Sequence, residues 1–349
     1  MRQQYVFQPS KLDELNEQIV FFFQSIYFQS LTIDRTWNNQ FIHYKFRPIY
    51  NECTKLRTLM KEVHYKYALS PTNDQFKIHN AALNSSNIAS ICDLTINSLH
   101  RKDLSQTMGN SIHKLFKYLY YQLPQTKIFK STYGELIDHY NALKKATNIK
   151  MCPFCGLEPI KPLKSKTKQT YDHYLSLSEY PLHGISTKNF VPTCKTCNED
   201  YKTDKDSVYL NPLRTIRRKL FYPYGHYNYK ISVSLSNVVL DTTNTTIKVN
   251  CCDVDINCDS INYDRELKTW LDIYEIDTRY KNTIEDDSDE WHKEYFDFQI
   301  LKTTRGTHID VPSTFADFMD SLEASESTTN SFIKRPYFDS VNSLTTVFK

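Results

Sequence analysis

Hydrophobic residues in the first 150 positions recur at the spacing of helix faces. One stripe comprises Leu56, Leu59, Met60, Val63 and Tyr67, and a second comprises Met108, Ile112, Leu115, Phe116, Leu119 and Leu123. Residues that recur every three and four positions lie on one face of an α-helix. A third helix is predicted over residues 131–147. The pattern therefore predicts a helical N-terminal domain, residues 1–150, that serves recognition or docking and whose stripes face a core.

The C-terminal part of the chain has a different periodicity. Polar and apolar residues alternate over 229–235 and again over 246–249, with turn-forming residues between the two runs. Alternation of this kind predicts a β-hairpin. Helices are predicted over residues 264–283 and from Ser313, which is a suitable N-cap. Residues 207–349 are therefore expected to form a mixed α/β region.

The segment between these regions contains two Cys-x-x-Cys pairs. They are Cys152 with Cys155, and Cys194 with Cys197. Four thiolates at this spacing suit a closed tetrahedral zinc site with a structural role. A core of residues 151–206 buries too little surface to fold alone, so a bound metal ion that stabilises it is expected.

Five polar residues accompany the cysteine pairs. Asp172 and His173 lie between the pairs, Asn189 precedes the second pair, Asn198 follows it, and Lys202 comes four residues later. Carboxylate and amide oxygens ligate hard divalent cations, and an imidazole that titrates near neutrality can activate water. The chain around them predicts a strand over 171–177, a second strand at 190–191 and a helix from Thr196.

Together the cysteine pairs and these residues resemble the core of zinc-containing HNH (ββα-metal) nucleases. The resemblance covers residues 151–206 and implies a small zinc-stapled ββα-metal fold. It implies that His173 is the general base, and that Asp172 and Asn198 hold one Mg²⁺ or Mn²⁺ ion. It further implies that Asn189 orients the histidine and that Lys202 reaches the substrate phosphate.

Two positions depart from the family pattern. Asn198 stands where the namesake histidine is usual, and its amide oxygen can still ligate a hard metal. Ser176 stands where a proline is frequent. Long HNH proteins of this kind also occur in bacterial anti-phage cassettes such as Septu, so the resemblance implies a separate ATPase subunit as a partner.

Positive charge is concentrated around the cysteine pairs. The whole chain carries a net charge of +3, whereas residues 150–219 hold 13 Lys/Arg against 7 Asp/Glu, which gives +6. A phosphate backbone is attracted by such a cluster. The alternative interpretation of each basic run is a solvated surface. The predicted nucleic-acid contacts are Lys164, Lys166, Lys168, Arg217 and Arg218.

Composition excludes several other functions. The chain has only 6 glycines and no glycine-rich phosphate loop, so ATP hydrolysis by this chain is not expected. Its longest apolar cluster is interrupted by polar residues, which predicts a cytoplasmic protein without a membrane span. Five of the histidines outside the motif, namely His64, His100, His113, His139 and His183, are interpreted as surface, satisfied or bystander residues.

The sequence thus predicts an α+β protein that acts as a metal-dependent HNH endonuclease on DNA, with RNA left open as a substrate. The alternative is a zinc-stabilised nucleic-acid-binding or docking subunit without catalysis. Asp172, His173 and Asn198 favour the nuclease, because a protein that only binds nucleic acid needs none of them.

Overall fold

The computed structural model describes residues 1–32, 34–161, 171–202, 205–241, 247–304, 311–324 and 331–344. Helices account for most of the regular structure, and two small antiparallel sheets accompany them. This mixture agrees with the predicted α+β class. No helix within the described residues is long and apolar enough to cross a membrane.

Helices make up most of the N-terminal region. Their bounds are α1 Leu12–Ser30, α2 Arg47–Glu52, α3 Thr54–Ala68, α4 Thr72–Leu83, α5 Ile88–Cys92, α6 Gln106–Tyr121, α7 Lys127–Tyr133 and α8 Leu136–Thr147. The two predicted stripes are buried along α3 and α6, with Leu123 in the turn that follows α6. The prediction of a helical region with inward stripes is confirmed.

The prediction of one helix over residues 131–147 is wrong in one respect, because two helices, α7 and α8, meet within this range. Gly134 separates α7 from α8 and has a φ of +84°. A right-handed helix cannot continue through a positive φ, and glycine adopts this conformation without a Cβ clash.

A minimal sheet lies between the cysteine pairs. Strand β1, Asp172–His173, pairs antiparallel with β2, Phe190–Val191, so that His173 faces Phe190 in the register. The first strand is shorter than predicted because the chain bends directly after His173. The predicted helix begins at Thr196, but it is a six-residue π-helical turn, Thr196–Tyr201. Turns of this type are rare and frequently occur at functional sites.

The C-terminal region contains the predicted hairpin and a group of helices. Strand β3, Ile231–Asp241, pairs antiparallel with β4, Lys248–Cys258, and the predicted turn between them lies outside the described residues. The helices are α9 Asp264–Tyr274, α10 Ile276–Thr304, α11 Val311–Ala324 and α12 Ser331–Leu344. The prediction of a single helix over 264–283 is wrong. Glu275 has a φ of +48° and ends α9, and α10 begins directly after it.

The N-terminus and helices α9 and α10 pack against the cysteine-containing segment. The backbone N–H of Arg2 donates to the carbonyl oxygen of Pro153 at 2.9 Å. From the other side, the Trp270 indole donates to the carbonyl of Phe154 at 2.9 Å, and the Tyr280 hydroxyl donates to that of Cys155 at 2.8 Å. Buried apolar side chains from all three predicted regions belong to one cluster, and the domain boundaries stay predictions.

Candidate active site and metal centre

The four cysteines converge into one buried cluster. The sulfur atoms of Cys152 and Cys197 lie 3.9 Å apart, and those of Cys155 and Cys194 lie 3.8 Å apart. All four sulfur atoms lie within 4.8 Å of one another. A tetrahedral zinc with bonds of about 2.3 Å to sulfur requires sulfur separations of about 3.8 Å. The cluster therefore has the geometry to hold a structural zinc ion.

Hydrogen bonds from two regions support the sulfur atoms. The backbone N–H of Cys197 donates to the sulfur of Cys194 at 3.3 Å, and that of Leu157 donates to the sulfur of Cys155 at 3.4 Å. Arg279 of α10 donates to the sulfur of Cys197 at 3.2 Å. Burial raises the pKa of Cys197 well above its usual range. A bound cation and Arg279 would both oppose that shift, since each favours the thiolate.

Most of the predicted catalytic residues line one cleft. Asp172, His173, Asn198 and Lys202 border a cavity of about 510 Å³. β1 supplies Asp172 and His173, and because this strand ends in a bend, both of these consecutive side chains reach the cleft. The π-helical turn and the residue after it supply Asn198 and Lys202. The structure thus brings together four of the five candidates.

The His173 imidazole is fixed in one orientation. Its Nε2 lies 3.0 Å from the carbonyl oxygen of Gly184. Because a carbonyl can only accept, Nε2 carries the proton and Nδ1 keeps its lone pair. The ring also packs edge-to-face against Tyr120, with centroids 4.2 Å apart. Burial is the main reason that the pKa of His173 is lowered from 6.5 to about 4; the hydrogen bond to Gly184 opposes this shift, and the nearby charge of Lys202 contributes to it.

Asp172 forms a buried ion pair with Lys202. The Nζ atom of Lys202 lies 2.5 Å from Oδ1 of Asp172, and it also donates to the carbonyl oxygen of His173. Burial raises the pKa of Asp172, and the charge of Lys202 opposes that shift. The second carboxylate oxygen, Oδ2, is buried without a hydrogen-bond partner among the described residues. A phosphate contact by Lys202 would require this pair to open.

The two asparagines occupy different positions. Asn189 is 0% exposed and lies behind the cleft rather than in it. Its Oδ1 accepts from the backbone N–H of Leu175 at 2.7 Å, and its Nδ2 donates to the carbonyls of Leu175 at 2.9 Å and His183 at 3.2 Å. Asn189 thereby fastens the loop that carries Gly184, the acceptor for His173. Asn198 is half-buried and borders the cleft.

The predicted phosphate-contacting residues are placed less favourably. Lys164, Lys166 and Lys168 lie outside the described residues. The Nη groups of Arg217 donate to the carbonyl oxygens of Ile91, Leu94 and Ile96 and to the Asn97 side chain, at 2.8–3.2 Å. Arg218 pairs with Asp272 at 2.6 Å and is only 9% exposed. The location of these two arginines therefore supports a structural role and gives no support to the predicted phosphate contact.

Helix α6 forms the opposite wall of the cleft with His113, Lys117 and Tyr121. The Nη1 of Arg101 donates to Nδ1 of His113 at 3.3 Å, so Nε2 of this ring carries the proton. Burial lowers the pKa of His113, and the charges of Arg101 and Lys117 add to that effect. The sequence interpretation missed this wall. The three residues recur every four positions on the polar face of α6, but only the tertiary fold shows what that face meets.

Searches for similar proteins gave no match to any family model, to any curated protein or to any solved structure. The resemblance to HNH nucleases is thus not supported by these comparisons. What the structure supports directly is the four-cysteine cluster and the composition of the neighbouring cleft.

Proposed function

We propose that this protein is a metal-dependent nucleic-acid endonuclease that hydrolyses phosphodiester bonds in the cleft between β1 and α6. The observation that carries the proposal is the state of His173. Its Nε2 proton is held by Gly184, and its Nδ1 is left as an acceptor in a cleft that also contains Asp172 and Asn198. Hydrolysis requires a group of this kind to take a proton from water.

The protonation state of His173 is compatible with the role of a base. A value of about 4 keeps the imidazole neutral at physiological pH, so Nδ1 can accept a proton. Since Nε2 already donates to a carbonyl, the ring cannot turn over without losing that hydrogen bond. Tyr120 and Asn189 restrict the ring and the loop further. His173 would therefore meet an attacking water through a fixed nitrogen.

Asp172 and Asn198 are the residues that would hold a catalytic Mg²⁺ or Mn²⁺ ion. Oδ2 of Asp172, which has no hydrogen-bond partner in the part of the chain that the structure describes, is a buried oxygen of the type that such ions prefer. When bound, the ion would stabilise negative charge on the phosphate and on the leaving oxygen. Asn198 borders the same cleft and can offer its amide oxygen. Lys202 would hold the other oxygen of Asp172 in place.

DNA is the proposed substrate, and the α6 wall is proposed to contact its phosphates. Lys117 is exposed at the cleft, and the Nε2–H of His113 is available as a donor to an anionic oxygen. Arg101 lies behind His113 and adds positive charge. A positively charged wall opposite the base would hold the strand within reach of His173. A separate ATPase partner and a role in phage defence follow from the family resemblance alone and stay predictions.

One observation favours the second candidate function, a zinc-stabilised nucleic-acid-binding or docking subunit without catalysis. The ammonium group of Lys202 already neutralises Asp172 at 2.5 Å. A buried carboxylate that has a protein cation as a partner does not need a metal ion to remain charged. In this interpretation the cleft binds phosphate but does not cut.

Incubation with plasmid DNA and with single-stranded oligonucleotides, in Mg²⁺, Mn²⁺ or EDTA, separates the two functions. The nuclease proposal expects cleavage by wild type in Mg²⁺ or Mn²⁺, and none by His173→Ala. DNA affinity and zinc content should be equal in both proteins, because the lost base affects only the reaction. His226→Ala, which changes an exposed histidine far from the cleft in sequence, is the matched control. Binding without cleavage by wild type would favour the docking subunit.

A further inference from the structure

A second, smaller cavity adjoins the cleft. It has a volume of about 140 Å³, and we call it the tyrosine pocket. Its principal walls are aromatic and aliphatic side chains, namely Tyr120, Tyr121, Tyr140, Tyr171, Leu136 and Ile137. Tyr121 and Tyr171 line both this pocket and the cleft. The cleft and the pocket therefore adjoin each other at these two side chains.

The pocket begins one aromatic ring away from the candidate base. Tyr120 lines the pocket, and its ring centroid is 4.2 Å from that of His173. A base that leaves the stack remains attached to the backbone through its sugar, next to the phosphate on either side. A pocket at this separation from His173 is therefore placed to receive the base of a nucleotide adjacent to the reacting phosphate.

The size and lining of the pocket match a single planar ring. A cavity of about 150 Å³ in another protein interior holds one benzene molecule, and this pocket has a volume of about 140 Å³. Tyrosine rings provide faces for stacking, and stacking on aromatic side chains is the main way in which proteins hold unpaired bases. A pyrimidine, which has one six-membered ring, fits this volume better than a purine.

The walls are fixed before any ligand arrives. The Tyr171 hydroxyl donates to Nδ1 of His139 at 2.7 Å, because Nε2 of that ring donates to the carbonyl of Gln8. The rings of Tyr140 and Tyr171 pack with centroids 5.2 Å apart. A rigid aromatic site loses little conformational freedom when a planar ligand stacks in it. Leu136 and Ile137 remain half-buried at the start of α8, so part of the apolar wall stays accessible.

We propose that the tyrosine pocket binds one unstacked nucleobase, with a preference for pyrimidines, from a nucleotide next to the scissile phosphate. This inference rests on the proposed nuclease function and narrows its substrate to single-stranded or locally unpaired nucleic acid. An ion pair between Lys130 and Glu135, at 3.4 Å, and the exposed Gln125 form the polar rim of the pocket. The rim offers hydrogen-bond partners for the edge of a base.

Two probes separate binding of the base from binding of the backbone. The first is a thymidine dodecamer, and the second is an abasic dodecamer with the same sugar–phosphate chain. Fluorescence anisotropy in the His173→Ala background measures affinity without cleavage. The protein should bind the thymidine dodecamer roughly 5- to 150-fold more tightly than the abasic one, the range that stacking of one base provides. A cytidine dodecamer should be preferred over an adenosine dodecamer.

Ile137→Trp tests whether the pocket itself provides this difference. The indole should fill the cavity and abolish the preference for thymidine, while the affinity for the abasic dodecamer stays unchanged. Ile128→Trp is the matched control, because Ile128 is also half-buried in the same region but does not line the pocket. It should keep the full preference. Circular dichroism and zinc content verify that both variants are folded.

The outcomes distinguish this inference from the nuclease proposal. Equal affinity of the parent protein for the thymidine and abasic dodecamers would overturn the base pocket, as would a preference that survives Ile137→Trp. Either result is expected if the pocket instead receives an apolar side chain of a partner protein. Cleavage by the protein that retains His173 would still support the nuclease in that case. Conversely, a base preference that Ile137→Trp removes, in a protein that cuts nothing, would establish the pocket and reject the nuclease.

Discussion

The ammonium nitrogen of Lys202 lies 2.5 Å from one carboxylate oxygen of Asp172, and neither side chain is more than 6% exposed. The other carboxylate oxygen has no hydrogen-bond partner among the described residues. One carboxylate oxygen is thus paired with the ammonium group of Lys202, and the other is left to a ligand. Buried carboxylates are costly without such partners, so the ion pair explains how Asp172 can be charged in a metal-free protein.

Removal of Lys202 should leave the buried charge of Asp172 without a partner, which lowers stability and strengthens the response to Mn²⁺. We expect Lys202→Ala to lower the free energy of unfolding by about 3 kcal/mol in metal-free buffer, because a buried charge loses its partner. Saturating Mn²⁺ should then stabilise the variant by about 1 kcal/mol more than it stabilises wild type, which corresponds to about fivefold tighter binding. Urea denaturation with and without Mn²⁺ measures both effects.

Lys195 supplies the control for that experiment. It forms an exposed ion pair with Glu199 in the same turn, so Lys195→Ala should change stability by less than about 1 kcal/mol. Equal stability of Lys202→Ala and wild type in metal-free buffer would show that Asp172 is not charged there. An equal response of both proteins to Mn²⁺ would remove Asp172 from the metal site.

The cysteine cluster should make folding depend on zinc. Purified protein should contain about one zinc per chain, and Cys197→Ser should lower both zinc content and the yield of soluble protein, because metal binding contributes folding free energy. Cys251→Ser, at an exposed cysteine outside the cluster, should have neither effect. Elemental analysis measures the zinc. Folded wild-type protein that contains no zinc would contradict the assignment.

The protein should keep its cleavage activity down to an unusually acidic pH. The pKa of His173 is lowered from 6.5 to about 4, so the base stays deprotonated until the pH falls towards that value. The acid limb of kcat/KM should therefore lie well below pH 6.5, and a bound metal ion would lower it further. Measurements of kcat/KM between pH 4.5 and 8 test the position of the acid limb, with circular dichroism at each pH to verify that the protein is folded. A midpoint near 6.5 would indicate a solvent-exposed base instead.

Phosphate contacts should be found on α6 rather than at the two arginines. Lys117→Ala should reduce the slope of log affinity against log salt by about 0.7 for single-stranded DNA, since one phosphate contact is lost. Lys55→Ala, at an exposed lysine on α3 that does not line the cleft, should leave the slope unchanged. Arg217→Ala should lower stability, because carbonyls at the end of α5 and in the loop after it lose their donor. A flatter slope in Arg217→Ala alone would restore the original prediction.

His183 should make the fold sensitive to acid. Its Nδ1 donates to the carbonyl of Ser85 and its Nε2 accepts from the Ser98 hydroxyl, both at 2.8 Å. Burial lowers its pKa from 6.5 to about 4. The folded state therefore resists protonation, so stability is complete above pH 6.5 and declines as the pH falls towards 4. Between pH 7.5 and 5 this residue should account for about 2 kcal/mol of the loss.

The variant His183→Gln isolates that contribution. Glutamine can still donate to one partner and accept from the other, but it does not titrate. The loss of unfolding free energy between pH 7.5 and 5 should be about 2 kcal/mol smaller in this variant, even if it is less stable at both values. Urea denaturation at the two pH values measures the difference. An unchanged loss would show that other groups dominate the acid response.

Most of the correct predictions from the sequence depended on the spacing of residues that lie close together in the chain. The cysteine pairs, the stripes of α3 and α6 and the hairpin each depend on residues a few positions apart, so their periodicity is visible without a fold. Asp172 and His173 lie between the cysteine pairs and Asn198 directly follows the second pair, so the cluster that joins the two pairs also keeps these residues near one another. Gly134 was a visible signal for a helix break, although the stripe around it suggested continuity.

Contacts between distant segments were not accessible from spacing. Arg279 approaches Cys197 from 82 positions away, and no motif marks it as a partner of a thiolate. Arg217 lies in a basic run that looks like a phosphate site, yet its guanidinium matches the carbonyls of a loop in the N-terminal region. Lys117 and His113 have ordinary polar positions on α6, and only the packing of α6 beside β1 gives them a role.

The packing of Trp270 and Tyr280 on the first cysteine pair has a consequence for biosynthesis. All four cysteines have been synthesised once the ribosome reaches residue 197. The side chains of Trp270 and Tyr280, which donate to the carbonyls of Phe154 and Cys155, follow more than 70 residues later in the sequence. A nascent chain can thus gather the four thiolates before these carbonyls have their donors. Final closure around the cluster has to wait until α9 and α10 emerge, so this small core cannot be completed before much of the C-terminal region is synthesised, although it lies in the middle of the chain.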